Sequence, residues 1–130
     1  MYEEYKDNFA KYLKSLNGIF QFAIYDYKKN VLTICNDRHG LKTLYWCDRG
    51  DYLLFSPEIK GILKDDSLKK EVNYESVSNF FSFQHLLGND TFLNDIEILP
   101  SASILTCSEK GFRIEKYWDF NEIEKLIKNP

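Results

Sequence analysis

Residues 16–27 read Leu16-Asn17-Gly18-Ile19-Phe20-Gln21-Phe22-Ala23-Ile24-Tyr25-Asp26-Tyr27, a turn followed by an almost unbroken apolar run. Successive side chains of a strand point to opposite faces of its sheet. Here both faces are largely apolar, with Phe20, Phe22 and Ile24 on one and Gln21, Ala23 and Tyr25 on the other. The pattern predicts a strand over 19–27 that is covered on both sides and lies in the centre of its sheet.

The segments that flank this strand predict its neighbours. Apolar residues at helical spacing predict a helix over 2–16, which Asn17-Gly18 ends. After a polar turn, residues 31–36 predict a second strand that forms a hairpin with the first. Residues 43–47 and 52–55 predict two more strands. Four short strands this close together predict one antiparallel sheet.

Two helices are predicted after these strands. Ser56-Pro57-Glu58 has the composition of a helix start, with Ser as the N-cap and Pro at the first helical position, and this helix is predicted to reach about Leu63. Either Asn73 or Ser76 is predicted to cap a second helix that runs to Phe81.

The remaining segments add a loop, a hairpin and a C-terminal helix or tail to the predicted elements. Residues 83–99 predict a loop or short helix with a turn at 88–90. Residues 103–107 and 112–118 predict a last hairpin, and 121–128 predict a polar C-terminal helix or tail. A helix, four strands, helices and a hairpin are the order of an α+β fold.

Length and charge narrow the possible functions. The chain has 130 residues, of which 44% are hydrophobic, enough for a single domain over 1–130. Its 17 basic and 20 acidic residues leave a net charge of -3, so nucleic acid is not an expected partner. No apolar run approaches the roughly 20 residues that span a bilayer, and the start of the chain is unlike a signal peptide. These features predict a soluble, cytoplasmic protein without a membrane partner.

The number, spacing and surroundings of the three cysteines predict that they have structural roles. Cys35, Cys47 and Cys107 are an odd number, and no pair has the spacing of a zinc or redox motif. Each lies in a strand-like context, where a free cysteine usually behaves as a small hydrophobic residue. A reactive thiol remains the alternative.

The densest polar cluster is Asp37-Arg38-His39-Gly40. A His beside an Asp could act as a general base, but no nucleophile is visible nearby. The other interpretation is an Asp–Arg pair that ties a turn together, with Gly40 at positive φ. His85 is far from His39 along the chain, so a metal site is not expected. The residues by themselves therefore predict no catalytic, cofactor-binding or metal-binding site.

Several segments, in order, resemble the glutaminase domain of glutamine-dependent asparagine synthetases, a class II glutamine amidotransferase. Residues 16–26 are similar to the family's Leu-x-Gly-Met-Phe-Ala-Phe-Ala-x-x-Asp strand. Residues 36–46 resemble Arg-Asp-Arg-x-Gly-x-Lys-Pro-Leu-Tyr-Tyr, and 54–63 resemble Phe-Ala-Ser-Glu-x-Lys-Ala-Leu. Residues 92–100 and 117–119 resemble the closing Leu-Pro-Pro-Gly turn and Tyr-Trp hairpin end. The resemblance covers most of the chain.

Three departures from the family's pattern affect loops or a single strand position. Thr43 stands where the family usually has Pro, Ser101-Ala102 replaces Pro-Gly, and Gln21 replaces a small apolar residue.

The resemblance implies a fold and a reaction for the parent protein. The fold would be an incomplete N-terminal-nucleophile hydrolase (αββα) domain with largely antiparallel sheets. The reaction would be glutamine hydrolysis followed by ammonia transfer to an aspartyl carboxylate that ATP has activated. ATP and Mg would bind only in a separate synthetase domain, so no cofactor is expected in this chain.

The family's catalytic residues do not map onto this chain. Its nucleophile is an N-terminal Cys whose own α-amino group acts as the base, whereas Met1 is followed here by Tyr2. Its glutamine-recognising Arg, Asn-Gly-Glu loop and Asp all precede the matched region. The resemblance therefore implies the C-terminal two-thirds of the domain, inert as this chain, with no catalytic residue.

Three interpretations stay open at this stage. The chain can be part of a truncated asparagine-synthetase-like amidotransferase. It can instead be a non-catalytic scaffold or interaction module, related to the degenerate amidotransferase domains of β-lactam synthetase and lasso-peptide cyclases. The third is an unrelated α+β domain. The first two imply partners: a synthetase domain, a missing N-terminal portion, or a second copy bound through exposed sheet.

Overall fold

The computed structural model describes residues 8–123. These residues form two compact units. Unit 1 contains residues up to Lys42 and those from Ser101 onward, and unit 2 is Thr43–Pro100. In chain order the elements are α1 (Phe9–Ser15), β1 (Gln21–Asp26), β2 (Val31–Asn36), β3 (Tyr45–Asp48), β4 (Leu53–Ser56), α2 (Ile59–Ile62), α3 (Tyr74–Phe83), β5 (Glu97–Ile98), β6 (Ser103–Ser108) and β7 (Gly111–Lys116).

Over its described residues, unit 1 contains a four-stranded antiparallel sheet against which helix α1 packs. The strand order is β1-β2-β6-β7, and the register places Phe22 opposite Cys35 and Cys35 opposite Ile104. Leu13 of α1 is fully buried in a cluster with Cys35, Ala102, Ile104 and Tyr117. Burial of this apolar stripe of α1 is what holds the helix to the sheet.

Unit 2 is built on a three-stranded antiparallel sheet of order β4-β3-β5. Its core contains Cys47 of β3, Ile62 of α2, Leu68 and Ile96. Among the described helices α3 is the longest, and its N-cap is Asn73, whose side-chain oxygen accepts a hydrogen bond from the backbone N–H of Ser76 at 3.0 Å. This is the N-cap that the sequence predicts for this helix.

Most of the predicted elements are confirmed. The three hairpins pair β1 with β2, β3 with β4 and β6 with β7, each antiparallel. The fold is mixed α and β with antiparallel sheets, as predicted. The part of the predicted first helix before residue 8, and of the C-terminal helix after residue 123, lies outside the described residues.

The predicted central position of the first strand is wrong. β1 lies at the edge of its sheet and pairs with β2 alone among the described strands. Phe22 and Ile24 are half-buried, but Ala23 is exposed and Tyr25 is 59% exposed. The apolar run therefore marks an edge strand with one partly covered face, because hydrophobicity on both faces does not by itself determine strand order.

The prediction of a single four-stranded sheet from the first strands is also wrong. The first hairpin belongs to the sheet of unit 1, and the β3–β4 hairpin belongs to the sheet of unit 2. Its third strand, β5, lies in the segment predicted as loop or short helix. A two-residue strand has no readable alternation, so its pairing with Tyr45 and Trp46 identifies it only in the structure.

The predicted start of the first of the two later helices is wrong as well. Ser56 is the last residue of β4, and Glu58 is the N-cap of α2. The Ser56 hydroxyl still accepts a hydrogen bond from the backbone N–H of Glu58 at 3.2 Å. The side chain thus closes a turn before the helix rather than capping the helix itself.

Replacing Leu13 by Ala should destabilise the protein by about 2–5 kcal/mol, because a fully buried Leu leaves a cavity at the junction of α1 and the sheet. Urea unfolding followed by circular dichroism measures the change. Lys11→Ala is the matched control, since Lys11 is exposed on the same helix, and it should change the free energy of unfolding by less than about 0.5 kcal/mol. Equal effects of the two substitutions would contradict the packing of α1.

Candidate functional site

The loop that follows β2 is organised by Asp37, which is 2% exposed. One carboxylate oxygen, Oδ1, accepts hydrogen bonds from the backbone N–H of His39 at 3.0 Å and of Leu41 at 3.4 Å. The carbonyl oxygen of Asp37 accepts from the N–H of Gly40 at 3.1 Å and of Ala102 at 3.0 Å. A single residue therefore closes the turn and ties it to the start of the last hairpin.

Gly40 has the positive φ that the sequence predicts, +60°. A Cβ at this position would lie 3.2 Å from Cβ and 3.3 Å from Cα of Ser101. Two features thus favour glycine here, the left-handed backbone and the close approach of the next segment.

Arg38 holds the end of α1. Its Nη2 donates hydrogen bonds to the carbonyl oxygens of Lys14 and Leu16, the second at 3.2 Å. These are carbonyl groups that a helix C-terminus leaves without intrahelical partners. The predicted Asp37–Arg38 ion pair is wrong, because no such pair forms among the described residues. The two side chains stabilise different parts of unit 1.

Asn36 and Tyr117 stabilise the start of this loop through two further hydrogen bonds. The Asn36 side-chain oxygen accepts from the N–H of Ser103 at 3.0 Å, and the Tyr117 hydroxyl donates to the Asn36 carbonyl at 2.8 Å. Burial raises the pKa of Tyr117 to about 12. Neither residue stands out in the sequence, since they are far apart along the chain and match no motif.

His39 is exposed, and its ring lies against Trp118 and Phe120, with centroid distances of 5.7 Å and 6.1 Å. Neither neighbour carries a nucleophile, so these contacts do not form the acid–base pair considered for the sequence. The imidazole instead packs against the two aromatic rings.

A cleft of about 180 Å³ opens beside this loop. Its lining combines the polar residues Asn17, Asp37, Arg38 and His39 with the apolar residues Leu16, Ile19 and Leu41 and with Gly18. In this cleft, residues of the Asp37-Arg38-His39-Gly40 cluster line an opening at the surface of unit 1.

All three cysteines are free, as predicted. Burial raises the pKa of Cys35 to about 12 and also raises the pKa of Cys47. A thiol that is a weaker acid supplies less thiolate at neutral pH, and the thiolate is the reactive species. Cys35 and Cys47 are therefore structural side chains.

His85, Glu58 and Glu75 belong to unit 2. Within residues 8–123 no three potential metal ligands cluster. His85 contacts the Phe83 carbonyl through Nδ1 at 2.8 Å. Glu58 is the N-cap of α2, and Glu75 lies in the first turn of α3. No helix in the described part of the chain is long and apolar enough to cross a membrane.

Comparison with known proteins decides the family. Residues 1–118 match the family described as the glutamine amidotransferase domain. The chain belongs to this family. The expected resemblance to asparagine synthetases is confirmed by glutamine-hydrolysing asparagine synthetase 3 of Bacillus subtilis, which is 38% identical over 106 residues, 80% of this chain.

Other relatives of this amidotransferase domain extend the comparison. Glutamine-hydrolysing asparagine synthetase 2 of Bacillus subtilis is 24% identical over 92% of the chain. Amidase chry2 of Gibberella zeae is 34% identical over 96% of the chain. The matched region spans only 17%, 17% and 18% of the lengths of these three relatives, in the order given. The chain thus corresponds to a small part of each of them.

Gly40→Ala should destabilise the amidotransferase domain by more than Gly88→Ala. Both glycines have nearly the same φ, +60° and +61°, but a Cβ at Gly88 meets nothing within 4 Å. The control should lose about 1–2 kcal/mol for the left-handed backbone alone, and Gly40→Ala should lose more because Ser101 must move. Thermal unfolding of the two variants makes the comparison, and equal losses would contradict the tight contact of Gly40 with Ser101.

The domain should lose stability as the pH rises from 9 toward 12. The pKa of Cys35 is raised from 9.0 to about 12 on folding. Above pH 9 the unfolded state therefore releases a proton that the folded state keeps, which favours unfolding by up to about 1.4 kcal/mol per pH unit. Cys35→Ala should show a shallower decline when urea unfolding at pH 10 is compared with pH 7. An unchanged decline would contradict this linkage.

Proposed function

We propose that this chain is the scaffold part of the glutaminase half of an asparagine-synthetase-like amidotransferase. The whole protein would hydrolyse glutamine and pass the ammonia to an aspartyl carboxylate activated by ATP. The observation that carries the proposal is the family match over residues 1–118, together with relatives named as glutamine-hydrolysing asparagine synthetases.

We assign the domain to the N-terminal-nucleophile hydrolase fold in the same proposal. Two features support this assignment: an antiparallel sheet with a helix on one face in unit 1, and a second antiparallel sheet in unit 2. Both units would belong to one partial amidotransferase domain.

The chain by itself is proposed to be inert toward glutamine. A nucleophilic thiol needs a base beside it and access to the substrate. Cys35 and Cys47 are buried, and Cys107 is half-buried within β6. The Asp37 loop is likewise occupied with backbone hydrogen bonds. These observations support a structural role for this segment, and other residues would carry the chemistry of the parent enzyme.

The exposed side chains of unit 2 suggest where a partner packs. Tyr74 and Phe81 of α3 are 80% and 81% exposed. Phe81 contacts Phe80, which in turn contacts Phe92, so the rings form one continuous patch. Contiguous exposed apolar side chains are a feature of protein–protein interaction sites. A synthetase domain, which would also bind ATP and Mg, is the proposed partner, and the free thiols fit a reducing cytoplasm.

A second candidate is a non-catalytic interaction module. The edge position of β1 among the described strands favours it, because an edge strand can pair with another chain. Tyr25, exposed on this strand, would add side-chain contacts to a self-association or to pairing with an N-terminal portion of the domain.

The two candidates are separated by a chimera. The matched region of Bacillus subtilis asparagine synthetase 3 is replaced by the corresponding region of this chain, and asparagine formation is measured with glutamine and with ammonium chloride. The scaffold proposal expects activity with both nitrogen sources. It also expects that the isolated 130-residue chain releases no glutamate from glutamine.

Asparagine formation with ammonium chloride is the control, because it shows that the synthetase part of the chimera is folded and active. Activity with ammonium but none with glutamine would favour the non-catalytic module. Glutamate release by the isolated chain would overturn its proposed inertness.

A further inference from the structure

Asn17-Gly18 lies between α1 and β1 and is the one Asn-Gly step in the 130-residue sequence. Both residues are exposed and lie outside the helices and strands. A Cβ at Gly18 would meet nothing within 4 Å, so the space beside its backbone is open. No hydrogen bond within residues 8–123 engages the Asn17 side chain or the N–H of Gly18. The side-chain amide and the next backbone nitrogen can therefore approach each other without breaking a hydrogen bond.

The chemistry of these two groups is an intramolecular ring closure. The backbone nitrogen of Gly18 loses its proton to water and attacks Cγ of Asn17, so that a new C–N bond forms. The bond from Cγ to Nδ2 then breaks, and Nδ2 takes up a proton and leaves as ammonia. Water opens the resulting succinimide at one of its two carbonyl groups, which gives either aspartate or isoaspartate. A following glycine favours this closure because it has no Cβ to crowd the ring.

The fold restrains the corresponding nitrogen after other asparagines. The N–H of Asp37 donates to the carbonyl of Phe20 at 2.9 Å, and the N–H of Asp90 donates to the carbonyl of Leu87 at 3.3 Å. Each of these two aspartates directly follows an asparagine. Ring closure there requires the hydrogen bond to break first, which lowers the fraction of molecules that can react. Both the sequence and the structure therefore single out Asn17.

We propose that Asn17-Gly18 is a site of spontaneous covalent modification, at which the Asn17 side chain closes to a succinimide, releases ammonia and opens to isoaspartate or aspartate. The proposal uses only residues of unit 1 and does not rest on the proposed function. Each product carries a carboxylate where the native chain carries a neutral amide.

The position of the site gives the modification a structural effect. The carbonyl of Leu16 accepts a hydrogen bond from Arg38 at 3.2 Å, and the carbonyl of Phe20 accepts one from the N–H of Asp37 at 2.9 Å. Isoaspartate adds a CH₂ group to the main chain between these two anchored carbonyls. The modified chain is therefore expected to hold the end of α1 less firmly.

The first test compares the folded chain with the chain unfolded in guanidinium chloride, both at mildly alkaline pH. Mass spectrometry follows the tryptic peptide 15–28, whose one asparagine is Asn17. Fragmentation distinguishes this position from Gln21, and chromatography separates the isoaspartate form from the aspartate form. Folding should slow the reaction by less than about fivefold, the factor that one lost hydrogen bond of about 1 kcal/mol would impose.

Asp90→Gly supplies a matched control within the same chain. It creates a second Asn-Gly step at 89–90, where the N–H of residue 90 donates to the carbonyl of Leu87. Asp90 is exposed, and circular dichroism verifies that the variant folds. In the folded variant the new step should react at least about fivefold more slowly than Asn17. In denaturant the two steps should react at equal rates.

The structural effect is tested with a variant that cannot close the ring as readily. Asn17→Gln lengthens the side chain by one CH₂ group and should stop conversion at this position during the same incubation. After incubation, the native chain should unfold at a lower urea concentration than before, and the Asn17→Gln chain should unfold where it did before. Equal midpoints of the native chain and its purified isoaspartate form would overturn the proposed effect on α1.

Two results would overturn the site itself. One is equal rates at the two Asn-Gly steps of the folded Asp90→Gly chain. The other is a native folded chain that reacts at Asn17 more than about fivefold more slowly than the unfolded chain. If Asp90→Gly does not fold, this second comparison decides by itself.

Discussion

The buried Asp37 is the residue on which unit 1 depends. Its backbone N–H donates to the carbonyl of Phe20 at 2.9 Å, and its carbonyl receives the N–H groups of Gly40 and Ala102. A buried carboxylate is costly unless hydrogen bonds replace its hydration. The N–H groups of His39 and Leu41 supply part of that replacement, and bonds to a charged acceptor are stronger than neutral ones.

This arrangement joins the approach to β1, the loop after β2 and the start of the last hairpin. Arg38 adds the end of α1 to the same junction through Lys14 and Leu16. The junction explains why the loop is dense in charged and polar residues. Its groups satisfy backbone atoms where four segments of unit 1 meet.

The chain matches only a small part of its relatives in the glutamine amidotransferase family. The relatives are several times longer than the matched region, so a segment of this size can contribute fold and interfaces while other segments contribute chemistry. The exposed rings of α3 and the open edge of β1 are consistent with that division. Under the proposed function, the partner would cover both surfaces.

The sequence by itself determined the local elements and the family. The three hairpins could be predicted from alternating apolar residues and from turn residues between the strands. The N-cap at Asn73 could be predicted because a short polar side chain can accept a hydrogen bond from the first turn of a helix. The positive φ of Gly40 could be predicted because glycine has no Cβ to clash in that conformation. All of these depend on neighbours within a few residues, which is why they could be predicted.

Only the tertiary structure decided the strand order, the division of the hairpins between two sheets and the pairing of β5. These depend on contacts between residues far apart in the chain, which no local pattern records. The same holds for the site: the sequence showed Asp37 and Arg38 as neighbours, but their separate partners in Ala102 and Lys14 appear only after folding. Adjacent charges in a chain pair with each other only when the fold offers neither of them a better partner.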